Sequence, residues 1–265
     1  MSSSRDLDPA FLQTAKAIVL RAGEIHLHHL GGNLGVILKE GTDIVTAVDI
    51  EVENMARAVI AKRFPEHSFL GEELGETVSS PQGFRWLFDP LDGTVNYAHG
   101  LPIFSASLAL EVDGEVIVGA VFDASRQELF AAQSGRGATV NDTPIRVSGV
   151  DSLSRAAVGA GFPHGAVARD GRMENVFCNV AVQASAIRRL GSAALDLCCV
   201  ACGRLDAFWD ANLKPWDTAA GALIVQEAGG QVTTFDGQRF SCYDREVLAT
   251  NGRLHSILLH EIGLA

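Results

Sequence analysis

Trp86-Leu87-Phe88-Asp89-Pro90-Leu91-Asp92-Gly93-Thr94 sets three bulky apolar residues directly before two carboxylates and a small-residue turn. A short apolar run closed by Pro and Gly predicts a buried strand over 85–89, with Asp89 at its end and Asp92 just beyond. Upstream, 68–71 has the same form, with Phe69-Leu70 followed by Gly71-Glu72-Glu73. Downstream, 103–112, 115–122 and 128–132 read as consecutive strands of an antiparallel meander. Asp113-Gly114 is a strong hairpin signal between the first two, because a type I′ turn needs residues that tolerate positive φ.

On the N-terminal side, Phe11, Ala15, Ile18, Val19, Ala22 and Ile25 recur at helical spacing, predicting an amphipathic helix over 10–30. A second helix is expected over 49–63, ending before Pro65. Beyond residue 150 strand and helix alternate, with strands at 156–161, 187–190, 205–209, 231–234 and 247–250 and helices at 173–184, 192–202 and 216–228. No repeat, low-complexity tract or Pro-rich linker divides the chain. The reading is a mixed α/β (α+β) protein of layered sheets and helices, one domain over 1–265 whose halves meet near residue 150.

At 265 residues, 47% hydrophobic and 20% charged, the chain can bury a large core. A net charge of −11 argues against an extended nucleic-acid surface, which needs a basic stripe. It leaves room for a small anionic substrate, because bound cations invert the local sign of a site. No apolar run approaches the ~20 residues that span a bilayer, and the first ten residues lack the features of a secretory signal. A cytoplasmic protein with neither membrane nor nucleic-acid partner is expected. Five cysteines, three of them within 198–202, do not form a disulfide framework. Cys199-Val-Ala-Cys202 lies among helical apolar residues and reads as buried thiols.

A third acidic motif, Trp216-Asp217-Thr218-Ala219-Ala220-Gly221, opens an apolar helix. Each motif alone has an ordinary use: Glu-Glu after a strand as a solvated turn, Asp-Gly as a turn, Asp217 as a favourable first-turn acid. Together they place several carboxylates beside residues that should be buried, an arrangement that is very unfavourable unless cations neutralise it. Carboxylate, carbonyl and water oxygens suit Mg²⁺, Mn²⁺ or Ca²⁺ rather than zinc or copper. The amides of Gly93 and Thr94 can face a phosphate if a helix begins there. His26, His28 and His29 on the first helix are expected to be exposed or packed rather than ligating, with His99 and His164 in loops. No phosphate-binding Walker segment or dinucleotide fingerprint is present.

These motifs resemble the inositol monophosphatase family, a branch of the metal-dependent, lithium-sensitive phosphatases. The matches run in order: Lys39 with Asp43-Ile44-Val45-Thr46-Ala47-Val48-Asp49, Gly71-Glu72-Glu73, Trp86 through Tyr97, Arg189-Leu190-Gly191-Ser192-Ala193-Ala194, Trp216 through Gly221, and Glu227-Ala228-Gly229-Gly230. The resemblance implies an αβαβα sandwich of the inositol monophosphatase and fructose-1,6-bisphosphatase type that binds two or three Mg²⁺ ions. It implies Glu72, Asp89 and the Leu91 carbonyl at the first metal, Asp89, Asp92 and Asp217 at the second, and Glu72 shared with a weaker third, with Glu73 one step further out. Thr94, hydrogen-bonded to Asp49, would orient the attacking water together with Glu72, and the backbone of Gly93 and Thr94 would bind phosphate. Attack would be in line by metal-activated water, without a covalent phosphoenzyme. Gly191, Ser192, Ala193 and Asp210 would contact the substrate hydroxyls.

Asp210 stands where the family usually has Glu, one methylene longer. Inositol monophosphate therefore shares the field with other small polyol phosphates, histidinol phosphate and nucleotide bisphosphates. A homodimer and inhibition by Li⁺ are further implications of the resemblance. Two rival readings are weighed against it. A haloacid-dehalogenase-type phosphatase needs two aspartates separated by one residue, whereas Pro90 and Leu91 both lie between Asp89 and Asp92. A regulatory partner of the transcription machinery is the alternative outside catalysis, and no interface for it is visible in the chain.

Overall fold

The computed structural model describes residues 8–32, 37–38, 44–78, 83–162 and 172–263. Lys39, Asp43 and His164 lie outside the described residues. The elements in chain order are α1 (Pro9–His29), β1 (Ile37–Leu38), β2 (Ile44–Val45), α2 (Ala47–Arg63), β3 (Ser68–Gly71), β4 (Gly75–Thr77), β5 (Phe84–Asp92), α3 (Thr94–Ala98), β6 (Ser105–Val112), β7 (Glu115–Asp123), β8 (Glu128–Gln133), β9 (Ala138–Val140) and β10 (Thr143–Pro144). After a short 3₁₀ turn follow β11 (Ala157–Ala160), α4 (Arg172–Ala181), β12 (Ala186–Arg188), α5 (Ala193–Ala201), β13 (Ala207–Ala211), α6 (Pro215–Glu227), β14 (Gln231–Thr233), β15 (Glu246–Thr250) and α7 (His255–Gly263).

Beside the small β1–β2 pair there are two sheets among the described residues. An eight-stranded sheet runs β10-β9-β8-β7-β6-β5-β3-β4, and a five-stranded sheet runs β12-β11-β13-β15-β14. The first is the expected meander extended by a parallel β3–β5 pair, in which Gly71 lies opposite Phe88. Asp113 and Gly114 both have positive φ, as the hairpin signal requires.

Side-chain alternation along each strand explains the layering. On β5, Trp86 and Phe88 pack into a cluster with Ile18, Ala22 and Val52 of α1 and α2, while Leu87 faces a cluster with Leu197 of α5 and Ile224 of α6. On β13, Phe208 joins that middle cluster, whereas Ala207 and Trp209 face Val176 of α4 and Leu258 of α7. The order is therefore α1α2, eight-stranded sheet, α5α6, five-stranded sheet, α4α7, which is the αβαβα sandwich. No helix among the described residues is long and apolar enough to cross a membrane.

Three departures from the sequence reading carry information. α2 starts two residues earlier than expected because Thr46 caps it: the Thr46 Oγ1 accepts from Val48 N at 3.2 Å, and the Asp49 carboxylate reaches back to Thr46 N at 2.8 Å. β5 does not end at Asp89 but runs to Asp92. α7 is unanticipated, although Leu254, Leu258 and Ile262 are buried at a spacing of four. All five cysteines are free, and burial pushes the Cys199 and Cys242 thiols up to about 12, which makes them poor nucleophiles.

Candidate active site

The site begins with an irregularity in β5. Residues three apart on a regular strand face opposite sides of a sheet. Here Asp89 lies opposite Ser107 and Asp92 opposite Ser105, so three steps on β5 match two on β6. The extra residue is a β-bulge, and it returns both aspartates to one face. Pro90, which has no N–H to give a ladder, lies within the bulged stretch. Leu91 N donates to Asp89 Oδ1 at 2.9 Å.

Neighbouring elements bring further carboxylates. Glu72 N donates to the Phe88 carbonyl at 3.2 Å, which continues the parallel β3–β5 pairing one residue beyond Gly71 and sets Glu72 beside Asp89. Asp217 lies in the first turn of α6, and its Oδ2 accepts from Lys214 N at 2.8 Å, the ordinary helix-start role an acid has there. Ser107 Oγ donates to the Trp216 carbonyl at 3.3 Å and so ties that helix start to the strand opposite Asp89.

The electrostatics show that these acids share one neighbourhood. Asp89 is buried, and its carboxyl is held well above the usual range, first by burial and then by the charges of Glu72, Asp92 and Asp217. Asp217 is pushed well up by burial and then Glu72, against the Lys214 hydrogen bond, with Asp92 and Asp210 adding. Asp92 rises to about 6 through burial, opposed by hydrogen bonds from Ser192, Ala194 and Ala193.

Do these groups suit a metal? Among the described residues, no three Asp, Glu, His or Cys side chains converge tightly enough to grip an ion as they stand. Asp92 and Asp217 instead point oxygens at backbone amides. An ionised carboxylate offers about four acceptor positions. Asp217 gives one of them to Lys214 N, whereas Asp92 gives three to Ser192, Ala193 and Ala194, so Asp217 keeps more lone pairs open than Asp92. The donor chemistry is all hard oxygen, and the forces raising Asp89 come only from burial and other acids. By donor type and charge the cluster fits a divalent cation such as Mg²⁺.

Asp49 and Thr94 meet at the edge of this cluster. Thr94 Oγ1 donates to the Leu91 carbonyl at 2.8 Å, with Asp49 Oδ1 3.5 Å away. The expected Thr94–Asp49 contact is therefore the longer of the two, and the Leu91 carbonyl has a partner of its own. Asp49 is buried, and its carboxyl rises to about 6 through burial, against its hydrogen bonds from Thr46. Gly93 precedes α3, so a helix does begin at Thr94.

The second half contributes the start of α5 and the end of β13. Ser192 Oγ donates to Asp92 Oδ2 at 2.5 Å, Ala194 N to the same oxygen at 2.8 Å, and Ala193 N to Asp92 Oδ1 at 3.2 Å. Asn96 Nδ2 donates to the carbonyls of Ile103 and Leu190 at 2.9 and 2.8 Å, which ties α3 to the segment before Gly191. Asp210 is raised to about 7 by burial, against the Ala211 amide and the Arg189 charge. A Cβ on Gly161 would lie 1.7 Å from Asp210 Oδ2, so that carboxylate occupies space only glycine leaves.

His26 is fully buried, as the packing alternative expects, and its Nε2 is 2.8 Å from the Pro90 carbonyl. One group near the site escapes the sequence reading. Glu53, 0% exposed, accepts the amides of Glu73 and Leu74. Its signal is a second acid, one turn after Asp49, on the face of α2 that also carries Val52, Ala56 and Ile60.

Comparison with known proteins places nearly the whole chain in one family. The inositol monophosphatase family model matches residues 8–263. An inositol-1-monophosphatase of Mesorhizobium japonicum is 40% identical over 230 residues, 87% of this chain and 86% of that protein. A protein of Pseudomonas aeruginosa named Nus factor SuhB is 42% identical over 232 residues, 84% of each. Among solved structures, the extragenic suppressor protein suhB from Bartonella henselae superposes with a TM-score of 0.92 at 36% identity, covering 96% of this chain and 98% of that one. With the sandwich, the bulged Asp-Pro-Leu-Asp strand and these matches pointing the same way, the chain belongs to the inositol monophosphatase family and is a phosphoric monoester hydrolase.

Proposed function

We propose that this hydrolase removes phosphate from small polyol monophosphates, inositol monophosphate among them, and depends on Mg²⁺. One observation carries the reading: Asp89 is buried and is pressed by the charges of Glu72, Asp92 and Asp217. Removing such charges from water without a counter-charge is strongly unfavourable. In this reading Glu72, Asp89, Asp92, Asp217 and the Leu91 carbonyl hold two or three Mg²⁺ ions. Bound ions would neutralise charge on the phosphoryl oxygens and lower the pKa of water.

The remaining roles belong to the chain itself. Thr94 Oγ1 and Glu72 orient the attacking water. Asp49, with its carboxyl near 6 and its Oδ1 3.5 Å from Thr94 Oγ1, takes the Thr94 hydroxyl proton as that hydroxyl turns from the Leu91 carbonyl and accepts the water's proton in exchange. The amides of Gly93 and Thr94 bind phosphate oxygens. Asp210 accepts hydrogen bonds from vicinal hydroxyls of the alcohol, and Gly191 contacts the same hydroxyls. Ser192 and Ala193 act on the same side and at the same time hold Asp92 in place. A relative 40% identical carries the name inositol-1-monophosphatase, which supports the substrate class.

The test is phosphate release from inositol 1-phosphate, histidinol phosphate, fructose 1,6-bisphosphate and adenosine 3′,5′-bisphosphate, with and without Mg²⁺, for wild type and Asp89→Asn. The expected result is Mg²⁺-dependent release, fastest on a polyol monophosphate, and none above background from the variant. Full activity in EDTA, or in Asp89→Asn, overturns the reading.

A further inference from the structure

Three charged or polar residues repeat at intervals of four along one face of α2: Asp49, Glu53 and Arg57. Side chains at i and i+4 lie one above the other on a helix. Asp49 reaches the Thr94 corner of the site, and the next two reach the turn that carries Glu72. Glu53 is completely buried, a position a carboxylate occupies only with full pairing. Its Oε1 accepts from Arg57 Nε at 3.0 Å, Arg57 Nη2 at 2.7 Å and Leu74 N at 3.0 Å, while Oε2 accepts from Glu73 N at 2.8 Å.

Arg57 continues the grip. Its guanidinium donates to Thr77 Oγ1 at 2.7 Å and to the Gly75 carbonyl, and it lies 4.7 Å from the centre of the Phe69 ring. The pair therefore holds β3 through Phe69, the turn through residues 73 and 74, and β4 through Gly75 and Thr77. Glu72 sits inside this grip. The turn has no apolar anchor of its own, because every residue of β4 is exposed and so is Leu74. Gly71 completes the device: a Cβ there would lie 2.3 Å from Glu53 Oε1, so the carboxylate reaches the turn only because residue 71 has no side chain.

We propose that Glu53 and Arg57 are positioning residues for Glu72, an ion-pair clamp with a buried carboxylate that fixes the 71–75 turn so that Glu72 stands beside Asp89. The inference rests on the reading of Glu72 as a cation ligand. Groups that orient a ligand from one step away affect metal affinity by about 10-fold to 100-fold when changed. A pair needed only for folding would alter stability and leave the affinity of the folded protein alone.

The experiment measures Mn²⁺ binding to the full chain by electron paramagnetic resonance of the free ion, beside melting temperatures in EDTA and kcat and KM. The variants are Glu53→Gln, Arg57→Lys and Gly71→Ala, with Glu72→Gln and Asp89→Asn as references. Gly71→Ala displaces Glu53 without changing any charge. Expected is about a 10-fold or greater loss of Mn²⁺ affinity in Glu72→Gln, Glu53→Gln and Gly71→Ala, with kcat falling and KM nearly unchanged. Arg57→Lys, which keeps the charge and loses the fork, falls between them and wild type. Wild-type Mn²⁺ affinity in folded Gly71→Ala, alongside a loss in Glu72→Gln, overturns the clamp and leaves Glu72 a ligand. Unfolding of Glu53→Gln together with unchanged binding by Gly71→Ala overturns it equally. Wild-type affinity in Glu72→Gln, with a loss in Asp89→Asn, removes Glu72 from the ligands and the clamp's purpose with it.

Discussion

Ser192 Oγ donates to Asp92 Oδ2 at 2.5 Å across a separation of 100 residues, joining the bulged strand of one sheet to the start of α5. Ser192 Oγ itself accepts the Leu195 amide at 3.4 Å as the helix cap. Ser192→Ala therefore removes a cap, worth about 1 kcal/mol, and takes one of the two hydrogen bonds from Asp92 Oδ2. The expected outcome is a modestly lower melting temperature and about a 10-fold lower kcat, with Ser192→Thr restoring most of both. Thermal melts and steady-state kinetics check it; unchanged kinetics in Ser192→Ala would show that the amides of Ala193 and Ala194 hold Asp92 unaided.

Asp89 makes a second case, in which stability and activity move in opposite directions. Its carboxyl is raised by burial and by three neighbouring acids, so holding it ionised at neutral pH destabilises the metal-free fold. Asn at this position has nothing to ionise. Asp89→Asn should melt above wild type in EDTA and be inactive. Wild type should gain stability on adding Mg²⁺, about 2.7 kcal/mol at one hundred times the dissociation constant, while the variant gains little. Scanning calorimetry with and without Mg²⁺ decides the point, and a variant less stable than wild type in EDTA would refute it.

Much of this site was legible in the chain, for reasons that can be stated residue by residue. The apolar runs before Glu72 and Asp89 announce buried strands because burial leaves few other uses for Phe69-Leu70 and Trp86-Leu87-Phe88. The first-turn acid Asp217 stands out against an apolar helix. The bulge was not read, although Pro90 was its signal: a strand ending at Asp89 and one bulged through to Asp92 deliver the same two acids in sequence. Glu53 was missed because a single acid four residues before an Arg reads as an exposed helix pair. Only the turn at residues 73–74, which arrives from another element, makes it buried. The hydroxyl of Ser192 pointing at Asp92 is a contact between distant halves, and no local pattern encodes it.

Two buried groups near the site respond to pH with opposite signs. His26 is lowered from 6.5 to about 4 by burial, against its hydrogen bond to the Pro90 carbonyl, and its Nδ1 has no hydrogen-bond partner. The unfolded chain takes up that proton first, so the stability His26 contributes is full above pH 6.5 and is lost as pH falls toward 4, by about 3 kcal/mol. Asp49 is raised from 3.8 to about 6, so its contribution is full below pH 3.8 and is lost as pH rises toward 6, by about 3 kcal/mol. Relative to wild type, His26→Gln should gain stability at pH 4.5 more than at pH 6.5, and Asp49→Asn should gain more at pH 6.5. Urea unfolding in EDTA at the two values measures both differences, and variants that track wild type at both would disprove the assignment.

Asp210 is the residue on which substrate choice is expected to turn, and Gly161 offers a way to move it without altering its charge. Asp210 Oδ2 lies where a side chain at position 161 would begin, 1.7 Å from the Cβ site. Gly161→Ala must therefore displace the carboxylate. If Asp210 binds vicinal hydroxyls, the loss is of a hydrogen bond to a charged group, about 1.5–3 kcal/mol, or roughly 10-fold to 100-fold in kcat/KM on inositol 1-phosphate. p-Nitrophenyl phosphate has no such hydroxyls, so its turnover should be nearly unchanged in Gly161→Ala and in Asp210→Asn. The comparison separates two roles, because Asp210 also adds to the charge pressing on Asp217. Equal losses on both substrates would assign Asp210 to the acidic cluster rather than to the alcohol. A loss confined to inositol 1-phosphate would assign it to the alcohol, with the Arg189 charge beside it tuning how readily the carboxylate ionises.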